Sequence, residues 1–209
     1  MAPERDSYRR ADWGLTGMAR PKEFDREEAL AKAIAVFTAY GYEGASTETL
    51  LTGMRISRQS MYDTFGDKRR LYLDALRRYS SDSTAEIIGV MHSHASAFKG
   101  LEAALLAFAS RPATRPQDGC LGVSASTEFG RSDPAICAIT DAAGTTMGAA
   151  FERIVRKGQA EGDFAGDLDP RIAAQFLLST LLGLKVSARA GATSATLQGI
   201  ARLALKSLR

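Results

Sequence analysis

Between Ser46 and Tyr72 the chain reads STETLLTGMRISRQSMYDTFGDKRRLY, and no other stretch constrains the fold as strongly. Ser46 and Ser57 have the chemistry of N-caps, whose side-chain oxygens accept the N–H groups that a first helical turn leaves unpaired. Each opens a segment too short to be stable alone. Leu50, Leu51 and Met54 face inward on the first, and the second carries Met61, Tyr62 and Phe65 before Gly66 stops it. Asp67 then caps a further helix that opens at Lys68. Two short helices joined by so few residues cannot pack side by side along their length. They cross steeply, and Leu50, Met54, Ile56, Met61 and Phe65 bury the elbow.

The flanking sequence follows the same helical grammar. Asp25 and Glu28 have capping-box spacing, and Ala29, Ala33, Val36, Phe37 and Tyr40 recur at helical intervals until Gly41 ends the run. From Lys68 a long periodic run carries Leu71, Leu73, Leu76, Tyr79, Ile87, Ile88 and Met91. Residues 98–110 are helical and rich in Ala and Leu, RPATRPQDG reads as a surface loop, and Cys120 to Phe129 forms another short helix. Asp133-Pro134 and Asp169-Pro170 each set an N-cap acceptor before a proline, which needs no N–H partner in the first turn. The first of these helices runs to about Glu161 and the second to about Arg189; a last one spans Ser194 to Leu208. No segment alternates with period two, and no repeat is present. The class is all-α, with about nine helices: an N-terminal three-helix domain, and a larger helical domain behind it.

Three spans follow: residues 1–20 as a flexible basic arm carrying Arg5, Arg9, Arg10 and Arg20, residues 21–68 as the small domain, and residues 69–209 as the large one. Met18 offers an alternative start, and Trp13 has no assigned role. The chain has 209 residues, 45% of them hydrophobic, which supports a sizeable core. The first residues lack the apolar centre of a signal peptide, and no run approaches the roughly 20 apolar residues of a membrane span, so a cytoplasmic location without membrane contact is expected. Two distant cysteines, Cys120 and Cys137, form neither a disulfide framework nor a paired zinc site. His92 and His94 lie two apart on a helix and do not share a face, so no metal is expected, and no cofactor.

Charge is distributed unevenly. Residues 46–80 hold seven basic residues against four acidic, an excess equal to the chain's whole net charge of +3. The outer face of the second short helix offers Arg58, Gln59, Ser60, Tyr62 and Thr64, hydrogen-bonding side chains suited to base edges and phosphates in a major groove. This is the arrangement of a helix-turn-helix that binds double-stranded DNA. A capped helical hairpin with a merely solvated outer face is the competing description.

In ISRQSMYDTFGDKRRLYLDAL, the order of Ser, basic residue, aromatic and Phe-x-x-Lys resembles the helix-turn-helix of the TetR family, and the likeness extends over about residues 24–76. The resemblance implies a DNA-reading head on a body that binds a small-molecule effector and forms a homodimer, released from a palindromic operator when the effector binds. It places Arg58, Gln59, Ser60 and Thr64 where the family contacts bases or backbone, and Thr47, Tyr62 and Lys68 where it holds phosphates. Two departures stand out: Arg55 occupies a turn position that is usually Gly, and Gly53 interrupts the second helix. If Arg55 is left-handed, the strain is about 1 to 2 kcal/mol.

In the body, the stripes of Ile172, Phe176, Leu177, Leu181 and Leu184, then Leu197, Ile200, Leu203 and Leu208, form either an internal core or, in the TetR-like layout, a four-helix dimer interface. Met91, Phe108, Met147, Phe151 and Phe176 are candidates to line an effector cavity, and at helical spacing they serve equally as core. GCLGVSASTE resembles the start of a body helix in a TetR-like subgroup that includes electrophile-responsive repressors. Cys120 is thus either a packed residue or a sensor whose thiolate the helix dipole favours. No Ser-His-Asp or Cys-His pattern, phosphate loop or set of metal-spaced carboxylates argues for an enzyme. A helical homodimeric adaptor acting on protein partners is the remaining alternative.

Overall fold

The computed structural model describes residues 24–109 and 119–209; the basic arm, Trp13, Met18 and nearly all of the RPATRPQDG loop lie outside them. Within the described residues there are nine helices and no strand: α1 Arg26–Gly44, α2 Thr47–Met54, α3 Arg58–Phe65, α4 Lys68–His92, α5 Ala97–Ala109, α6 Leu121–Phe129, α7 Pro134–Glu161, α8 Pro170–Arg189 and α9 Ser194–Lys206. None is long and apolar enough to cross a membrane.

The caps explain where the helices start. Asp25 accepts the N–H groups of Glu27 and Glu28, Ser46 that of Thr49, Ser57 that of Ser60 and Asp67 that of Arg70. Asp133 and Asp169 each accept two first-turn N–H groups ahead of their prolines, and Thr193 caps α9 through Thr196. α1 breaks at Gly41, where φ is +72°, and a further turn carries the chain to Gly44. A side chain at 41 would be strained in that region and would also collide with the Glu128 carboxylate, which reaches over from α6 to accept the Tyr42 N–H at 2.8 Å. α2 continues unbroken through Gly53, whose bareness lets the Val36 side chain of α1 lie against its backbone.

Two apolar cores form. The smaller joins α1, α2 and α3 to the first half of α4 through Leu71, Tyr72, Ala75 and Leu76, and to Leu121, Ala125 and Ile136 from α6 and α7. It therefore extends past residue 68. The larger joins α5, α7, α8 and α9 to the far end of α4 at Met91. α4 belongs to both cores and mechanically links them, while α6 touches the small core with one side. Arg69 pairs with Asp133 at 2.7 Å, joining the starts of α4 and α7, and the Arg189 guanidinium at the end of α8 donates to the Thr38 carbonyl of α1 at 3.2 Å.

Candidate functional site

α3 divides cleanly into two faces. Met61 and Phe65 are buried in the small core, whereas Arg58, Gln59, Tyr62 and Asp63 are exposed and Ser60 and Thr64 sit on the flank. The structure thus brings the sequence-derived DNA set of Arg58, Gln59, Ser60, Tyr62 and Thr64 onto one short helix, with Thr47 half-buried at the first turn of α2. Ser60 is tied into the cap: its hydroxyl oxygen accepts from Ser57 at 2.9 Å. Gln59 donates one amide N–H to the Asp63 carboxylate at 2.8 Å, and its second N–H and carbonyl oxygen are left to read a base.

The turn between α2 and α3 contains Arg55 at φ 60°, ψ 43°, with its N–H on the Leu51 carbonyl at 2.9 Å. It alone among the described non-glycine residues has positive φ. Its side chain is exposed.

Lys68 opens α4, where the helix dipole is positive. Its ammonium lies 4.4 Å from the centre of the Tyr42 ring, a cation–π contact that points it across the end of α1. Asp67 occupies the Arg70 N–H, leaving the Lys68 and Arg69 amides without an Asp67 bond. Sequence reasoning missed Tyr42, although an aromatic directly after a helix-ending glycine was the available signal. Tyr42 also packs on Tyr72 and Phe129, with ring centres 5.0 and 5.5 Å away. Burial pushes the Tyr72 phenol far above its ordinary range, and its hydroxyl has no hydrogen-bond partner among the described residues.

The candidate effector residues are placed in different surroundings. Met91 and Phe151 are buried in the large core, Phe176 is 43% exposed on the outside of α8, and the Phe108 side chain lies outside the described residues. Met147 and Cys120 do meet, lining a cavity of about 160 Å³ between α4, α6, α7 and α8. Tyr79 lines the same cavity, and burial, with Cys120 close by, pushes its phenol far above its ordinary range.

The apolar stripes of the last two helices also need correcting. Leu177, Leu181, Leu184, Leu197 and Leu208 are each at most 3% exposed, because α5 and α7 cover them. They cannot form an interface between copies. Ile172 and Ile200 do stay exposed, together with Phe176, Leu182, Val186 and Leu203.

A steep helix-turn-helix elbow with a polar outer face, set on a helical body, defines a DNA-binding transcriptional regulator. The family profile described as "Tetracyclin repressor-like, C-terminal domain" matches residues 97–204. The chain is 27% identical over 192 residues to the HTH-type transcriptional repressor ComR of Escherichia coli (strain K12), covering 90% of each protein. It is 48% identical over 71 residues to the HTH-type transcriptional regulator YezE of Bacillus subtilis (strain 168), a match spanning 34% of this chain and 37% of YezE. Its fold superposes with a TM-score of 0.76, at 32% identity, on a cysteine mutant of the TetR family transcriptional regulator CifR complexed with 26bp double-strand operator DNA, covering 91% of this chain and 100% of that one. The chain belongs to the TetR family of DNA-binding transcriptional regulators.

Proposed function

We propose that this protein is a homodimeric repressor that holds a palindromic operator and leaves it when a small-molecule effector occupies the body. The observation that carries the reading is the exposed polar face of α3, backed by a buried elbow and flanked by Lys68 at the dipole end of α4. In this reading Gln59, with Arg58, Ser60 and Thr64, sets operator sequence, while Thr47, Tyr62 and Lys68 hold phosphates and set salt dependence. ComR is named a repressor and CifR was solved on operator DNA, which supports the direction.

The division of labour follows the two cores: residues 21–68 with the first turns of α4 as the reading head, and the remainder of 69–209 for effector and dimer. The exposed apolar stripe of Ile172, Phe176, Val186 and Leu203 on α8 and α9 is the dimer surface in this account. Two-fold pairing there would set recognition helices about 34 to 36 Å apart, one turn of duplex. An effector acts through its differential affinity for the dimer's two spacings.

The test is selection of bound duplexes from a random pool, then titration of the winner at two salt concentrations. A palindromic winner bound far more tightly than random DNA is the expected result. No enrichment at low salt would refute the reading and favour a protein adaptor. Leu203→Glu should yield a monomer with much weaker operator binding.

A second reading concerns Cys120, favoured by its place in the lining of the body cavity with Tyr79. Alkylation there would change how α6 seats and so lower operator affinity. Full sensitivity to an alkylating reagent in Cys120→Ser would refute it.

A further inference from the structure

The cavity between α4, α6, α7 and α8 is polarised along its length. α4 leaves the head at Lys68, so Tyr79 and Ser80 stand at the cavity's head-side end, and Ile87 lies about 10 Å farther at 1.5 Å rise per residue. α7 starts beside the head at the Arg69–Asp133 pair; Thr140 is therefore its head-side wall and Met147 its distal one. α8 runs the opposite way and ends where Arg189 meets Thr38, which puts Lys185 at the head-side end and Leu178 two turns deeper. Three independent helices thus agree. The head-side end is lined by Lys185, Tyr79, Ser80, Thr140 and Cys120, and the far end by Ile87, Met147 and Leu178.

The charge is equally one-sided. A wide groove of about 940 Å³ between α4 and α7 adjoins the cavity, sharing Ser80, Thr84 and Ala143 with it. The two linings contain Lys185 and Arg77 and, among the described residues, no carboxylate. Arg77 reaches Asp74 at 3.3 Å. Lys185, half-buried, has no ion-pair partner among the described residues, and Ser80, Ser83 and Thr84 make no hydrogen bond there. A cation with the Ser80 hydroxyl at one end of the slot, the Ser83 and Thr84 hydroxyls partway along it and an apolar far end ask for an anion with an apolar body. A cavity of about 150 Å³ holds benzene, so a pocket of about 160 Å³ admits a body of that size.

We propose that the cavity binds a small amphiphilic carboxylate, its apolar body against Ile87, Met147 and Leu178 and its carboxylate against Lys185 at the head-side end. This rests on the effector reading above and names the ligand's class. Seated so, the carboxylate ties the end of α8 to α4 one turn from the Arg189–Thr38 contact, where body and head join. Straight-chain and aromatic acids share this chemistry.

The test uses the full-length protein with hexanoate and benzoate as probes and hexanamide and benzamide as their uncharged counterparts. Binding is read by calorimetry and thermal shift, and operator release separately by fluorescence anisotropy. At least one acid should bind, and its amide about tenfold more weakly, as expected for one lost charge-assisted hydrogen bond. Lys185→Gln should abolish the preference and Lys185→Arg should keep it. Amides binding as well as acids, no binding by either acid, or an undiminished preference in Lys185→Gln would each overturn the assignment. So would a Lys185→Gln protein that dissociates into monomers but still prefers acids. If the acids bind through Lys185 and operator affinity does not change, the ligand class stands and the effector reading falls.

Discussion

Replacing Arg55 by glycine should stabilise the protein, and the size of the effect can be worked from the turn. Arg55 has φ 60° and ψ 43°, is exposed, and its backbone N–H caps α2 through the Leu51 carbonyl at 2.9 Å. The left-handed conformation costs a side-chain-bearing residue about 1 to 2 kcal/mol. Glycine removes that cost but loses roughly 0.4 to 1 kcal/mol through its greater freedom in the unfolded chain. The net gain is roughly 0.5 to 1 kcal/mol, or a rise in Tm of about 1 to 4 °C for a chain of this size. Chemical denaturation at fixed protomer concentration measures it, since dimerisation links stability to concentration. Arg55→Ala is the control, because alanine keeps the Cβ and therefore the strain, and it should stay within about 0.5 kcal/mol of the parent. Equal changes in Arg55→Gly and Arg55→Ala would show that the arginine side chain, not the backbone, governs the turn.

The other predictions address the DNA face and the core. Lys68→Ala should weaken binding to operator and random duplex alike and reduce the log–log salt slope by about 1, whereas Gln59→Ala should relax discrimination at particular base pairs by about 1 to 3 kcal/mol. Equal losses on both DNAs for both variants, in a fluorescence titration, would contradict the division. Tyr72→Phe should be neutral or stabilising by about 1 kcal/mol in a denaturant melt, because it removes a buried hydroxyl without a partner; a loss above that would mean the hydroxyl is satisfied. The carboxyls of Asp25 and Asp169, held by first-turn N–H groups, and of Asp163, held by the Ser96 hydroxyl and the Phe98 N–H, lie below their ordinary 3.8. Their contribution is complete above that value and is lost as pH falls through the lowered range. Melts from pH 7 to pH 2 in Asp25→Asn should therefore converge with the parent only at the acid end.

Much of this protein was legible one helix at a time. The caps at Asp25, Ser46, Ser57, Asp67, Asp133 and Asp169 begin helices where the sequence places them, because capping is a contact between residues two or three apart. The break at Gly41 and the left-handed Arg55 are similarly local. The polar face of α3 could be read because Met61 and Phe65, one turn apart, identify the other side.

Tertiary structure decided everything that depends on which helix comes to lie beside which. Periodicity identifies an apolar stripe but not its partner, so Leu177 and Leu197, expected between copies, lie under α5 and α7, while Phe176, expected in a pocket, faces out. Glu128 reaching Gly41 and Tyr42 across a separation of 86 residues leaves no trace in local pattern. Neither does the meeting of Tyr79, Cys120, Met147 and Lys185 around one cavity, since each sits on a different helix and is ordinary in its own segment. Local sequence determines each helix through short-range hydrogen bonds and the 3.6-residue repeat; the site inside the body exists only because four such helices pack with a gap between them.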